Sequence, residues 1–244
     1  MSEKLQKTLA TLGLASRREI ERWILDQRIK VNGEIATIGM RVDKNAKITI
    51  DNKPIKLSET ENSPTEVLLY HKPDGEVCTR SDEKDRRTVF ESLPKLKTGR
   101  WIMIGRLDLN SSGLLLFTNN GELANALMHP KTQIEREYLV RVFGLVTEGI
   151  LNNLQSGVSL DGKMAKFKSI KKIKSESTNQ WYKVVVTEGR NRLIRRLWET
   201  QNIQVNRLVR IRFDNIELPR SLMKKQFIYL PKNQVLALKK RFSI

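Results

Sequence analysis

The chain has 244 residues, enough for one large domain or two unequal ones. Its 45 Lys and Arg against 27 Asp and Glu leave a formal charge of +18, the footprint of a protein that meets a polyanion. The single cysteine, Cys78, excludes an intrachain disulfide, and with only His71 and His129 beside it an ordinary zinc site of Cys and His ligands is excluded too.

The basic excess is spread along the chain, with 12 basic against 8 acidic residues in positions 1–60 and 33 against 19 in positions 61–244. The N-terminus, Met1-Ser2-Glu3-Lys4, has no apolar signal region, and no run approaches the length that spans a bilayer. A cytoplasmic protein with no membrane partner is expected.

In chain order, residues 4–13 carry Leu5, Leu9 and Leu12 on one side of a short amphipathic helix that stops at Gly13. Ser16 with Glu19 three residues on is a capping-box start for a second helix. Ile20, Trp23 and Ile24 form its apolar side, and Arg17, Arg18, Arg22 and Arg28 stay on the polar side. Ile29 to Ile35 alternates and breaks at Asn32-Gly33, a hairpin signal, and short strands follow at 41–42 and 47–51. Two helices and a small hairpin sheet make a unit over 1–52. Residues 53–64 are polar, contain two prolines and read as a linker.

A second domain is expected over 65–244. Val67 to Tyr70 reads as a strand, Lys72-Pro73-Asp74-Gly75 as a turn, and Trp101 to Ile104 as a strand. That strand delivers Gly105-Arg106-Leu107-Asp108-Leu109-Asn110-Ser111-Ser112-Gly113, a polar loop opening into the apolar run Leu114 to Thr118. A short helix around Leu123 to Leu127 ends at Pro130, and Arg136 to Val142 is an alternating strand containing Tyr138. A helix over 147–155, a turn-rich hairpin at 157–162 and a strand over 181–187 come next. Glu188-Gly189-Arg190-Asn191 then turns into a helix carrying Arg192, Arg195 and Arg196 on one face and Leu193, Ile194, Leu197 and Trp198 on the other. Strands near 207–213 and 226–230 precede a basic terminal segment. Antiparallel-looking strands with a few helices indicate an α+β fold. Residue type alone leaves Asp108 a loop carboxylate, Tyr138 a core aromatic of a strand, and the arginines of the second helix a solvated face.

Arg-Leu-Asp, a short polar stretch, Ser-Gly and an apolar strand together resemble the catalytic aspartate motif of RNA pseudouridine synthases, in particular the RsuA/RluB family that modifies ribosomal RNA. The N-terminal pieces Leu12 to Arg18, Trp23-Ile24 and Arg28-Ile29-Lys30-Val31-Asn32-Gly33 resemble an S4-like RNA-binding domain. The resemblance covers 4–51 and about 65–230. It implies a small N-terminal RNA-binding domain followed by a mixed, mainly antiparallel sheet with flanking helices. It also implies isomerisation of uridine to pseudouridine on a flipped nucleotide.

The same resemblance implies site residues. Asp108 acts on the sugar, either at its anomeric carbon or on a sugar proton. Arg195 faces Asp108 as the cation that keeps a buried carboxylate ionised. Tyr138, in Arg136-Glu137-Tyr138, stacks on the base, with proton transfer as a second catalytic role open to it, and Arg106 holds the extruded nucleotide. Lys72, in a Lys-Pro-x-Gly element regarded as structural, is read as a lysine flanking a turn. Arg17, Arg18, Arg22, Arg28, Lys30, Arg190, Arg192 and Arg196 contact RNA phosphates. The Arg190-Asn191-Arg192 start and the Arg195-Arg196-Leu197-Trp198-Glu199 end look like the RluB group, which points to 23S RNA of the large subunit, with 16S RNA as the alternative. One departure is Leu193, where the family more often has Glu or Gln.

The reaction that the resemblance implies is redox-neutral and the chain has no Walker loop or dinucleotide fingerprint, so no cofactor and no metal are expected. The expected partner is ribosomal RNA, met by a monomer. A non-catalytic RNA-binding assembly factor is the competing reading, and Asp108, Tyr138 and Arg195 weigh against it.

Overall fold

A computed structural model describes residues 2–57, 64–173 and 180–244. The chain divides into two compact units. The first comprises Met1–Glu66 with Pro94–Ile102 and Thr118–Gly121; the second comprises Val67–Leu93, Met103–Phe117 and Glu122–Ile244.

The first unit opens with β1 (Glu3–Lys4), α1 (Leu5–Thr11) and α2 (Arg17–Leu25). The Ser16 hydroxyl accepts the Glu19 N–H at 3.1 Å, so the expected cap forms. Leu5, Leu9, Ile20 and Ile24 are buried, while Arg17, Arg18 and Arg22 are exposed. The strands are β2 (Ile29–Val31), β3 (Glu34–Ile35), β4 (Arg41–Val42), β5 (Ile48–Ile50) and β6 (Lys53–Ile55). β4 pairs with β1, and the other four form an antiparallel sheet in the order β3-β2-β5-β6. The turn between β2 and β3 uses Asn32 at φ +54° and Gly33 at φ +92°, conformations that Asn and Gly tolerate best.

β6 corrects the expected linker. Lys53–Ile55 pair with Ile48–Ile50, and Pro54 sits opposite Thr49. Proline suggests a break, but β6 is an edge strand, where a missing N–H costs no ladder bond. Of the rest of that stretch, 58–63 lie outside the described residues.

The second unit contains β7 (Val67–Lys72), β8 (Ile102–Ile104), β9 (Ser112–Thr118), α3 (Gly121–Met128), β10 (Arg136–Phe143) and α4 (Glu148–Ser156), with Ile102, Thr118 and Gly121 assigned to the other unit. There follow β11 (Val158–Leu160), β12 (Lys163–Ala165), β13 (Ser169–Ile173), β14 (Gln180–Val186) and α5 (Leu193–Glu199). β15 (Gln204–Phe213), β16 (Ile216–Glu217), β17 (Phe227–Tyr229) and α6 (Lys232–Arg241) complete it. The main sheet runs β13-β14-β10-β15-β9-β7-β17, with β8 on β9 and β16 on β15. β10 is antiparallel to both its neighbours, β14 and β15, whereas β15 is parallel to β9.

Every residue of β9 is buried, as its apolar run suggests for a central strand. Trp198 of α5 packs between Phe167 and Tyr182, with ring centroids 6.0 and 5.2 Å away. The terminal basic segment, given no element above, is a helix, α6. Only Val235 and Leu238 bury from it, too short an apolar repeat to stand out among its Lys and Arg residues.

Candidate active site

β8 leads into the loop that carries Asp108, and β9 takes the chain away from it. This loop is held from below by two buried cations. The Lys72 ammonium has no solvent exposure. It donates to the main-chain carbonyls of Pro73 (3.0 Å), Asp108 (3.1 Å), Leu109 (3.4 Å) and Ser111 (2.8 Å). The Arg195 guanidinium donates to the carbonyls of Asn110 and Val205, each at 2.7 Å. Each carbonyl from Asp108 to Ser111 is therefore bound by a cation, and Asp108 itself is half-buried. Burial pushes both Lys72 and Arg195 below their ordinary pKa, opposed in each case by nearby carboxylates that include Asp108.

A cavity of about 830 Å³ opens beside the loop, and its wall includes Arg106, Asp108, Ser111, Arg136, Tyr138 and Arg210. A second hollow of about 440 Å³ shares Arg106, Leu107 and Asp108 with it. Tyr138 is 7 % exposed on β10, opposite Val184 of β14 and Arg210 of β15. A bulge between Glu137 and Tyr138 interrupts the β10–β15 register. Such bulges re-aim side chains beside active sites. The strand bearing Tyr138 and the loop bearing Asp108 thus meet at one cavity.

Arg106 is exposed at the cavity rim. Arg195 lies behind the loop: its hydrogen bonds go to main chain, and among the described residues no ion pair joins it to the Asp108 carboxylate. The expected shared face of Arg192, Arg195 and Arg196 does not form. Arg192 is not in the helix but caps it in the left-handed region at φ +49° and approaches Glu199 at 3.4 Å. Arg196 binds Asp161 at 2.7 Å. Arg190 binds Glu188 and the carbonyls of Leu160 and Met164, tying the β11–β12 hairpin in place. In the other unit Arg28 forms two hydrogen bonds to Asp51, at 2.9 and 2.6 Å, and lies over the Trp23 ring at 5.0 Å. Lys30 donates to Asn52 at 3.2 Å and lines an open hollow of about 700 Å³ with Asn32 and Lys47.

Sequence reasoning missed Arg210 and the role of Lys72. Arg210 falls on the same strand parity as buried Leu208, so a charge on the apolar side of β15 was the available signal. Lys72 closes a strand whose preceding residues are nearly all buried, a comparable signal. Arg136 also lines the cavity and is pushed below its ordinary pKa by burial, against the attraction of Tyr138.

Residues 3–48 match the family model of the S4 domain, and residues 66–200 match that of RNA pseudouridylate synthase. A ribosomal large subunit pseudouridine synthase B of Haemophilus influenzae is 55 % identical over 222 residues, covering 90 % of this chain and 62 % of that protein. The protein of the same name from Salmonella typhi is 54 % identical over 224 residues, covering 91 % and 77 %. The chain thus spans slightly under two thirds of the Haemophilus relative. A crystal structure of a pseudouridylate synthase superposes with a TM-score of 0.66 at 22 % identity, covering 96 % of this chain and 99 % of that one, which speaks for the fold. With the family model matched across more than half of its length, the chain belongs to the RNA pseudouridylate synthase family.

Proposed function

We propose that the chain isomerises a uridine of ribosomal RNA to pseudouridine, with large-subunit 23S RNA as substrate and the cytoplasm as its setting. The bond from C1′ of the sugar to N1 of the base breaks and a bond from C1′ to C5 forms. The hydrogen on C5 leaves as a proton and N1 takes one up, so no electron is gained or lost. The observation that carries the reading is the convergence of Asp108 and Tyr138 on one cavity, with the Asp108 loop clamped by buried cations.

Asp108 acts on the sugar, as nucleophile or as base. Tyr138 packs against the flipped base, and Arg106 at the rim holds its backbone. Arg195 supports the loop through Asn110, and its charge offsets that of Asp108 in the half-buried setting. Exposed Arg17, Arg18 and Arg22, with Lys30, supply phosphate contacts in the N-terminal unit, and Arg192 supplies one at the cavity. Arg28, Arg190 and Arg196 are committed to carboxylates and act through structure.

The test is tritium release from ribosomal RNA labelled at C5 of uridine, because isomerisation displaces that hydrogen. Wild type is expected to release tritium from large-subunit RNA, and Asp108→Asn to bind the RNA while releasing less than about one hundredth as much. Turnover surviving in Asp108→Asn removes the assignment of Asp108. Tight binding without release from either subunit's RNA favours a non-catalytic factor.

A further inference from the structure

Two polar groups on residues that line the cavity are buried and, among the described residues, have no partner. Arg210 is 1 % exposed. Its Nε donates to the Leu114 carbonyl at 2.6 Å, and its guanidinium lies 5.4 Å from the centre of the Phe213 ring, but Nη2 meets no acceptor. Ser111, also 1 % exposed, spends its N–H on the Asp108 carbonyl and its own carbonyl on Lys72, and its hydroxyl has no partner. A buried donor left unpaired is costly, so such groups in a binding wall indicate a ligand acceptor. Phe213 and the Leu114 carbonyl hold the Arg210 side chain in place, and its main chain pairs with Gly113 of β9. The other named cations of the wall, Arg106 and Arg136, are likewise donors only, and Glu188 is neutralised by Arg190.

We propose that Arg210, with the Ser111 hydroxyl, contacts the carbonyl edge of the flipped base and selects uracil over cytosine. The proposal rests on the uridine-isomerase reading above. A guanidinium offers donors and no acceptor. Uracil presents an acceptor, a donor and an acceptor along O2, N3–H and O4. When the detached ring turns over about the line through N3 and C6, N1 exchanges with C5 and O2 exchanges with O4. A fixed donor therefore meets a carbonyl oxygen before and after the rotation. Cytosine has an amino group at C4, so in one of the two orientations donor faces donor. A fixed guanidinium in the wall thus fits the whole reaction path of uracil and rejects cytosine on electrostatic grounds.

The probes are two RNA fragments around the target position mapped by tritium release, identical except for uridine or cytidine there. Wild type is expected to bind the uridine fragment at least about tenfold more tightly. Arg210→Gln, whose amide can accept as well as donate, brings the ratio close to one, and Arg210→Lys, a donor only, keeps the preference. Ser111→Ala, a small truncation, covers the case in which Arg210→Gln does not fold. It weakens binding of the uridine fragment about threefold and leaves that of the cytidine fragment unchanged. An unchanged ratio in folded Arg210→Gln, or equal weakening by Ser111→Ala on both fragments, means these groups only support the wall and overturns the proposal. Wild type that releases no tritium fails the isomerase reading instead, an outcome distinct from an unchanged ratio in an active enzyme.

Discussion

Replacing Lys72 by Met tests whether the ammonium builds the Asp108 loop. Met preserves most of the volume, so no cavity term enters. Two of the four bound carbonyls keep another donor: Asp108 O accepts the Ser111 N–H at 3.0 Å, and Leu109 O accepts the Gly75 N–H at 2.9 Å. The carbonyls of Pro73 and Ser111 are deprived of the donor the structure gives them. At about 1–3 kcal/mol for each orphaned buried acceptor, the cost is about 2–6 kcal/mol. Part of this is offset because a charge no longer has to be buried, so a net destabilisation of about 3 kcal/mol is expected. Urea unfolding followed by the fluorescence of the four tryptophans measures it. Turnover should fall further than stability. The loop that carries Asp108 would be free to shift, and a displacement of about 1 Å costs about a hundredfold in rate. Single-turnover tritium release at saturating RNA reads that drop. A variant with stability within about 1 kcal/mol of wild type and an unchanged rate refutes the role of Lys72 as the loop's anchor.

Two other outcomes are expected. Gly113→Ala places a Cβ 2.2 Å from the Arg210 carbonyl oxygen at a φ of +105°, so β9 and β15 must part. We expect a destabilisation of about 3 kcal/mol or more, seen as a lower unfolding midpoint; a change below about 1 kcal/mol would mean the parallel pairing tolerates side chains there. Joint replacement of Arg17, Arg18 and Arg22 by Ala should weaken RNA binding and lower its salt slope by about one for each phosphate no longer bound, leaving turnover at saturating RNA intact. A salt slope equal to that of wild type rules out RNA binding by this helix face.

Legibility followed locality. The Ser16 cap, the Asn32-Gly33 turn, the buried β9 run and the alternating β10 depend on neighbours a few residues apart, and all are readable from the sequence. Pro54 misleads because tolerance of proline depends on whether a strand is at an edge, which is a property of the sheet. Arg192 misleads because helical spacing extends one residue too far, into a left-handed cap. The cations were least legible. Lys72 reaches carbonyls 36 to 39 residues away, Arg195 one 85 residues away and Arg210 one 96 residues away. A charge buried against distant main chain leaves no periodic trace beyond its presence on an apolar parity. Motif resemblance singled out Asp108, Tyr138 and Arg195 as candidates, but the course of Arg195 toward Asn110 rather than the Asp108 side chain needed coordinates.

Those spans also order events during synthesis. The Lys72 clamp joins segments made close together, so it can close once the chain has passed Ser111. The Arg195 clamp and the parallel β9–β15 pairing need segments made roughly 85 to 100 residues later. Pairings across such separations form slowly, because a long loop must close before any contact repays its entropy. A nascent chain that has not yet released β15 from the ribosome therefore carries its aspartate half-fastened, next to the very class of RNA the finished protein is proposed to modify. Late closure of the site puts off its proposed chemistry until β15 has been made.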